Sequence, residues 1–111
     1  MYREIKESDW KLFRRLHPVA LERFCKKVIE EINQATSNCS EDYHKGYLEV
    51  FRLIMDRNEQ MARAFDDTRR STAIVLLTNI RESDLLTDEE FSQFSPETRA
   101  RVESILEIRR P

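Results

Sequence analysis

This 111-residue chain predicts a compact all-α bundle of five to six helices with no sheet, and three observations carry that expectation. It has one glycine, Gly46, and three prolines, Pro18, Pro96 and Pro111, so few positions supply the positive φ angles that tight hairpins demand. Charged residues make up 36% and hydrophobic residues 40% of the chain, a balance that suits amphipathic helices with solvated outer faces. It is too apolar at helical spacing for a disordered tail. Tyr43, Tyr47, Val50, Phe51, Ile54, Met61 and Phe65 recur at helical spacing and, at about 100° per residue, share one stripe. The length suits a single domain, residues 1–111, with one core.

Taken in order, Ser8 is placed to cap a first short helix through about Leu16, with Trp10, Phe13 and Leu16 on its apolar side. His17-Pro18 predicts a break, because proline disfavours helical geometry in the residue before it and suits a first helical turn. A second helix then starts at Pro18 and runs toward Ala35 on the stripe Leu21, Phe24, Cys25, Val28 and Ile32. The polar run 36–40 has turn chemistry, and Ser40 with Glu41 and Asp42 caps the next helix with negative charge on its positive end.

That next helix, about residues 41–66, is the long central element, with a length of roughly 37 Å. Its one discord is Asn58, which falls on the apolar stripe between Ile54 and Met61. A buried amide needs a hydrogen-bond partner, so the expectation is either a break near 56–58 or a polar partner for Asn58. Asp66 and Asp67 close the helix and offer an N-cap to another over 68–81, whose centre, 73–77, is apolar all round. Thr87 and Glu90 have capping-box spacing ahead of Phe91 and Phe94. Ser95-Pro96-Glu97 repeats the start signal for a last helix carrying Val102, Ile105 and Leu106.

For function, the formal net charge of -2 points to neither a nucleic acid nor an acidic membrane through global electrostatics. Residues 1–10 interleave acids and bases and lack the apolar region of a signal peptide, and the longest apolar run, 73–77, falls far short of the roughly 20 residues a membrane helix needs. The expectation is a soluble, cytoplasmic protein without a membrane partner. Trp10 lies near Lys11, Arg14 and Arg15, but the stretch is short and Glu7 and Asp9 dilute its charge, which argues against a membrane-surface helix. Two cysteines in a chain able to build its own core read as reduced thiols.

His17, Cys25, Cys39 and His44 are the right inventory for zinc but lack the close pairs that structural zinc sites use, so no metal is expected. Glu41 and His44 match half of a carboxylate-histidine di-iron motif whose second half is missing. No nucleophile elbow, phosphate-cradling glycine loop or paired catalytic acids occur, so the chain predicts neither an enzyme nor a cofactor.

The polar cluster that stands out is Arg63, Asp66, Asp67, Arg69 and Arg70, where arginines at a helix start oppose its dipole. One reading is local pairing with the aspartates; the other is an anion or acidic partner held by free backbone amides and arginines. The leading expectation is a protein-protein interaction or self-association module, binding another protein or a second copy of the chain. Its contact surface would combine this arginine corner with Leu48, Arg52 and Met55 on the flank of the central helix. The alternative is a nucleic-acid or phosphate-binding regulator using Arg63, Arg69 and Arg70.

Overall fold

The computed structural model describes residues 5–111, and its elements are all helices: α1 (Glu7–Ser37), α2 (Tyr43–Phe65), α3 (Ala73–Glu82), α4 (Asp88–Ser92) and α5 (Pro96–Arg109). The longest is α1, which runs unbroken through Pro18 where the sequence predicts a boundary. Proline inside a helix removes one backbone hydrogen bond and typically costs about 3 kcal/mol. Here Pro18 and Arg14, the residue whose carbonyl loses its donor, are both exposed, so water can serve that oxygen. Leu16, Ala20 and Phe24 on either side are buried in one core, and their shared packing holds the two halves in line. Ser8 is not the cap: the helix begins at Glu7, with Lys6 at the N-cap position making no side-chain cap bond.

The α1–α2 turn ends in an Asp42 cap rather than the expected Ser40, the Asp42 carboxylate accepting from the Lys45 N–H at 3.2 Å. Glu41 beside it takes a φ of 65°, a left-handed position filled without glycine. The only glycine serves packing instead. Gly46 is helical and buried against Cys39, whose Sγ would lie 2.2 Å from an added Cβ, so α2 can cross the turn this closely only without a side chain there.

α3 starts at Ala73, later than the predicted Thr68. The Thr72 hydroxyl accepts from the Arg69 N–H at 3.0 Å and donates to the Asp67 carbonyl at 2.7 Å, and Asp67 sits at φ 57°. These local bonds give 66–72 an alternative to helix. Further on, the capping box between Thr87 and Glu90 and the Ser95 cap followed by Pro96 form as the sequence predicts.

The core gathers at one end. Leu12, Phe13, Leu16, Ala20 and Phe24 of α1 meet Ala64 and Phe65 of α2, the inner face of α3, Leu85, Leu86, Phe91, Phe94 and Val102. Beyond it, the C-terminal half of α1 and the N-terminal half of α2 continue as a two-helix arm. The molecule measures 57 × 27 × 23 Å, and its 16.9 Å radius of gyration exceeds the roughly 13 Å typical of a domain this long.

Candidate functional site

The arm gives α2 two unlike edges. Gly46, Val50, Leu53 and Arg57 lie on the edge toward α1, all buried or half-buried, and the same edge continues through Met61 and Ala64 into the core. Midway along the arm the Arg57 guanidinium forks onto Glu31 of α1, with N–O distances of 3.0 and 2.7 Å. That pair holds the Glu31 carboxyl below its usual range, because Arg57 donates to its ionised form.

The other edge is left in solvent. Tyr43 is 75% exposed, Tyr47 66%, Phe51 52%, Met55 54% and Ile54 39%, and Ile29 of α1 is 55% exposed. At about 100° per residue these five α2 side chains cover a band some 120° wide, and half-buried Leu48 extends it further. Lys45, Glu49 and Arg52 all fall outside that band. Thr36, Cys39, Tyr43, Gly46, Tyr47 and Val50 line a shallow hollow of about 420 Å³ where the band meets the turn. Helical spacing sets Thr36 about 140° around α1 from Glu31, so this hollow lies on the flank opposite the Arg57–Glu31 pair. The opposite flank is mixed, with Lys27, Glu31, Arg57 and Gln60 beside Phe24, Val28 and Leu85 around a smaller hollow of about 280 Å³.

Sequence periodicity places Tyr43, Tyr47, Phe51 and Ile54 in the core, and the structure puts them outside it. The stripe is wider than one neighbouring helix can cover, and α1 takes the edge centred on Val50 and Arg57. The available signal was its width: Leu48 and Met55 carry apolar residues well beyond the seven-residue stripe. Asn58 loses its dilemma by the same displacement. It is exposed, and α2 stays continuous through it with neither a break nor a buried partner.

The arginine corner is distributed rather than gathered. Arg69 pairs with Asp67 at 2.8 Å, while Arg70 pairs with Glu7 at 3.0 Å and lies 5.5 Å from the centre of the Trp10 ring. Both pairs are solvent-exposed and contribute little stability. Arg63 lines a different hollow with Gln60, Asn79, Glu82 and Arg109, and its carbonyl accepts from the Asn79 amide at 2.8 Å. Asp66 terminates α2 in extended geometry. Because α3 begins at Ala73, neither Arg69 nor Arg70 sits in its first turn.

The buried and half-buried ionisable groups Asp9, Glu90 and His17 are tied into the scaffold. Asp9, 3% exposed, accepts from the Ser95 N–H at 2.9 Å and from the Ser95 and Thr98 hydroxyls at 2.6 and 2.7 Å, which locks the first turn of α1 to that of α5. Burial pushes its carboxyl up, but those donors and the nearby Lys6 charge together hold it below its ordinary value. Glu90 is brought down to about 2, first by the Arg23 guanidinium at 2.6 and 3.0 Å and then by the Thr87 N–H, against the effect of burial. His17 is packed edge-on against Phe13 and Phe65, and burial lowers its pKa while a backbone contact at Phe65 partly restores it.

Cys25 and Cys39 are free thiols, and the Cys39 Sγ donates to the Asp42 carbonyl at 3.4 Å. Among the described residues no group of three or more histidine, cysteine, aspartate or glutamate side chains is placed to hold a metal ion, and no helix is long and apolar enough to cross a membrane. No protein-family model matches the chain, and neither the curated protein sequences nor the solved structures compared with it give a match.

Proposed function

We propose that this protein acts without catalysis, in the cytoplasm, by binding another protein molecule through the apolar flank of its arm. The observation that carries the reading is the row Tyr43, Tyr47, Phe51 and Met55, each at least half exposed, on a helix face without lysine, arginine, aspartate or glutamate. Monomeric proteins rarely leave contiguous apolar surface of this kind in water, and aromatic residues and methionine are enriched where proteins meet. The contact surface therefore moves up the arm, away from the arginine corner, and keeps Leu48 and Met55 from the flank that the sequence singled out.

A photo-crosslinking phenylalanine analogue in place of Phe51 tests this in the native cell. A discrete protein adduct is expected from position 51 and not from exposed Ser104 on α5. No adduct at 51, or equal yields at both positions, would overturn the proposal. Salt separates it from phosphate recognition by Arg63, Arg69 and Arg70: contact through an apolar band persists as ionic strength rises, whereas phosphate-driven binding collapses.

A further inference from the structure

We infer that the occupant of this flank is a second copy of the same chain, paired antiparallel along α2. The inference rests on the arm acting as a binding surface and names what it binds. Tyr43, Tyr47, Phe51 and Met55 recur every fourth residue, so they form one continuous ridge along α2. The ridge is symmetric about the midpoint between Tyr47 and Phe51. A copy turned by a two-fold axis through that midpoint sets Tyr47 on the partner's Phe51 and Tyr43 on the partner's Met55. The first is an aromatic pair and the second a sulfur-aromatic contact, and both are favourable geometries. Each contact occurs twice, as a two-fold interface requires.

Area and charge agree with that occupant. With about 200 Å² for a large side chain, the exposed fractions of Ile29, Tyr43, Tyr47, Phe51, Ile54 and Met55 leave roughly 680 Å² of largely apolar surface. The largest patch on a typical monomer is about 300–600 Å², while a standard interface takes about 800 Å² from each side. The band holds no lysine, arginine, aspartate or glutamate, with exposed His44 near its Met55 edge, so a copy of itself brings no unpaired carboxylate, ammonium or guanidinium into the contact, whereas a nucleic acid or a charged peptide finds none of these to pair with. Length fits as well: the ridge covers about 18 Å, and reversing it keeps the two core bundles at opposite ends.

Sedimentation equilibrium of the full chain tests the pairing. Wild type is expected to be dimeric at micromolar concentration, and Phe51→Glu to weaken the dimer at least about 100-fold with its helix content unchanged, because the side chain is already half in water. Ile108→Glu, at the most exposed of the large apolar residues, should leave the dimer intact. A monomeric wild type, or equal dissociation by both variants, overturns the inference. If a monomeric wild type still cross-links through position 51 to a different protein, the second copy is wrong and the binding surface stands; if it cross-links to nothing, both fail. Register is read separately in chains with Cys25 and Cys39 replaced by serine. Mixing Tyr43→Cys with Met55→Cys should yield the mixed disulfide, and disulfides only between identical chains would overturn the antiparallel arrangement.

Discussion

The two halves of the molecule use the same kind of residue to opposite ends. In the core bundle Phe13 is 1% exposed and packs between Trp10 and His17, while in the arm Phe51 is 52% exposed with solvent on its outer side. Both phenylalanines sit on long helices at apolar spacing. What separates them is how many helices meet around each: Phe13 belongs to a core to which all five helices contribute, whereas among the described residues α2 near Phe51 has α1 beside it and its outer face in solvent. An amphipathic helix in a two-helix arm can bury one edge, and the apolar surface left over is available for contact outside the fold.

That contrast predicts unequal costs for the same truncation. Phe13→Ala should destabilise by about 4 kcal/mol, through lost burial and the cavity left behind. Phe51→Ala, followed in dilute solution where association is suppressed, should change stability by less than about 0.5 kcal/mol. Urea denaturation of the pair reads the difference, and a comparable loss at Phe51 would mean that the arm is part of the core.

A second expectation concerns acid. Glu90 titrates near 4.5 when unfolded and near 2 when folded, so its contribution is complete above pH 4.5 and is lost as the pH falls from there toward 2. Glu90→Gln should cost about 2 kcal/mol at neutral pH, a figure discounted because Arg23 is partly in water, and should flatten the acid limb over that window. Asp9, also held below its ordinary value, keeps the remaining acid dependence in the same direction. Both groups lie in the bundle. Thermal melts between pH 2 and 7 should therefore show the bundle loosening in acid, and an unchanged acid limb in Glu90→Gln would refute the Arg23–Glu90 assignment.

A more modest loss than at Phe13 or Glu90 belongs to the arm's tip. Gly46→Ala forces a methyl group against Cys39, an overpacking cost of about 1–3 kcal/mol offset by roughly 1 kcal/mol of helix propensity, for a net loss near 1 kcal/mol. Adding Cys39→Ala should recover most of it. Chemical denaturation of the single and double variants measures the coupling, and additive effects would show that the two residues do not touch.

Much of the bundle was legible in the sequence because its signals are local. Thr87 with Glu90 and Ser95 before Pro96 mark helix starts through bonds made within one turn, and the structure places α4 and α5 where those signals stand. Pro18 misled because its cost is local while its compensation, shared burial of Leu16, Ala20 and Phe24, is not. Asp9 gave no sign of its role, since its partners Ser95 and Thr98 lie at the far end of the chain. The apolar face of α2 was visible in full, but not which part of it would stay uncovered.

The sequence by itself determined that the chain is helical, where α4 and α5 begin, and that α2 carries more apolar surface than one edge of a helix. Those properties follow from backbone propensity, capping and periodicity, which act over a few residues. Only the tertiary structure decided that α1 runs straight through Pro18, that the arginine corner separates into different ion pairs, and that Tyr43, Tyr47, Phe51 and Met55 face water. Each of these depends on which helix lies beside which, and periodicity fixes the direction of a face around its own axis without saying what stands opposite.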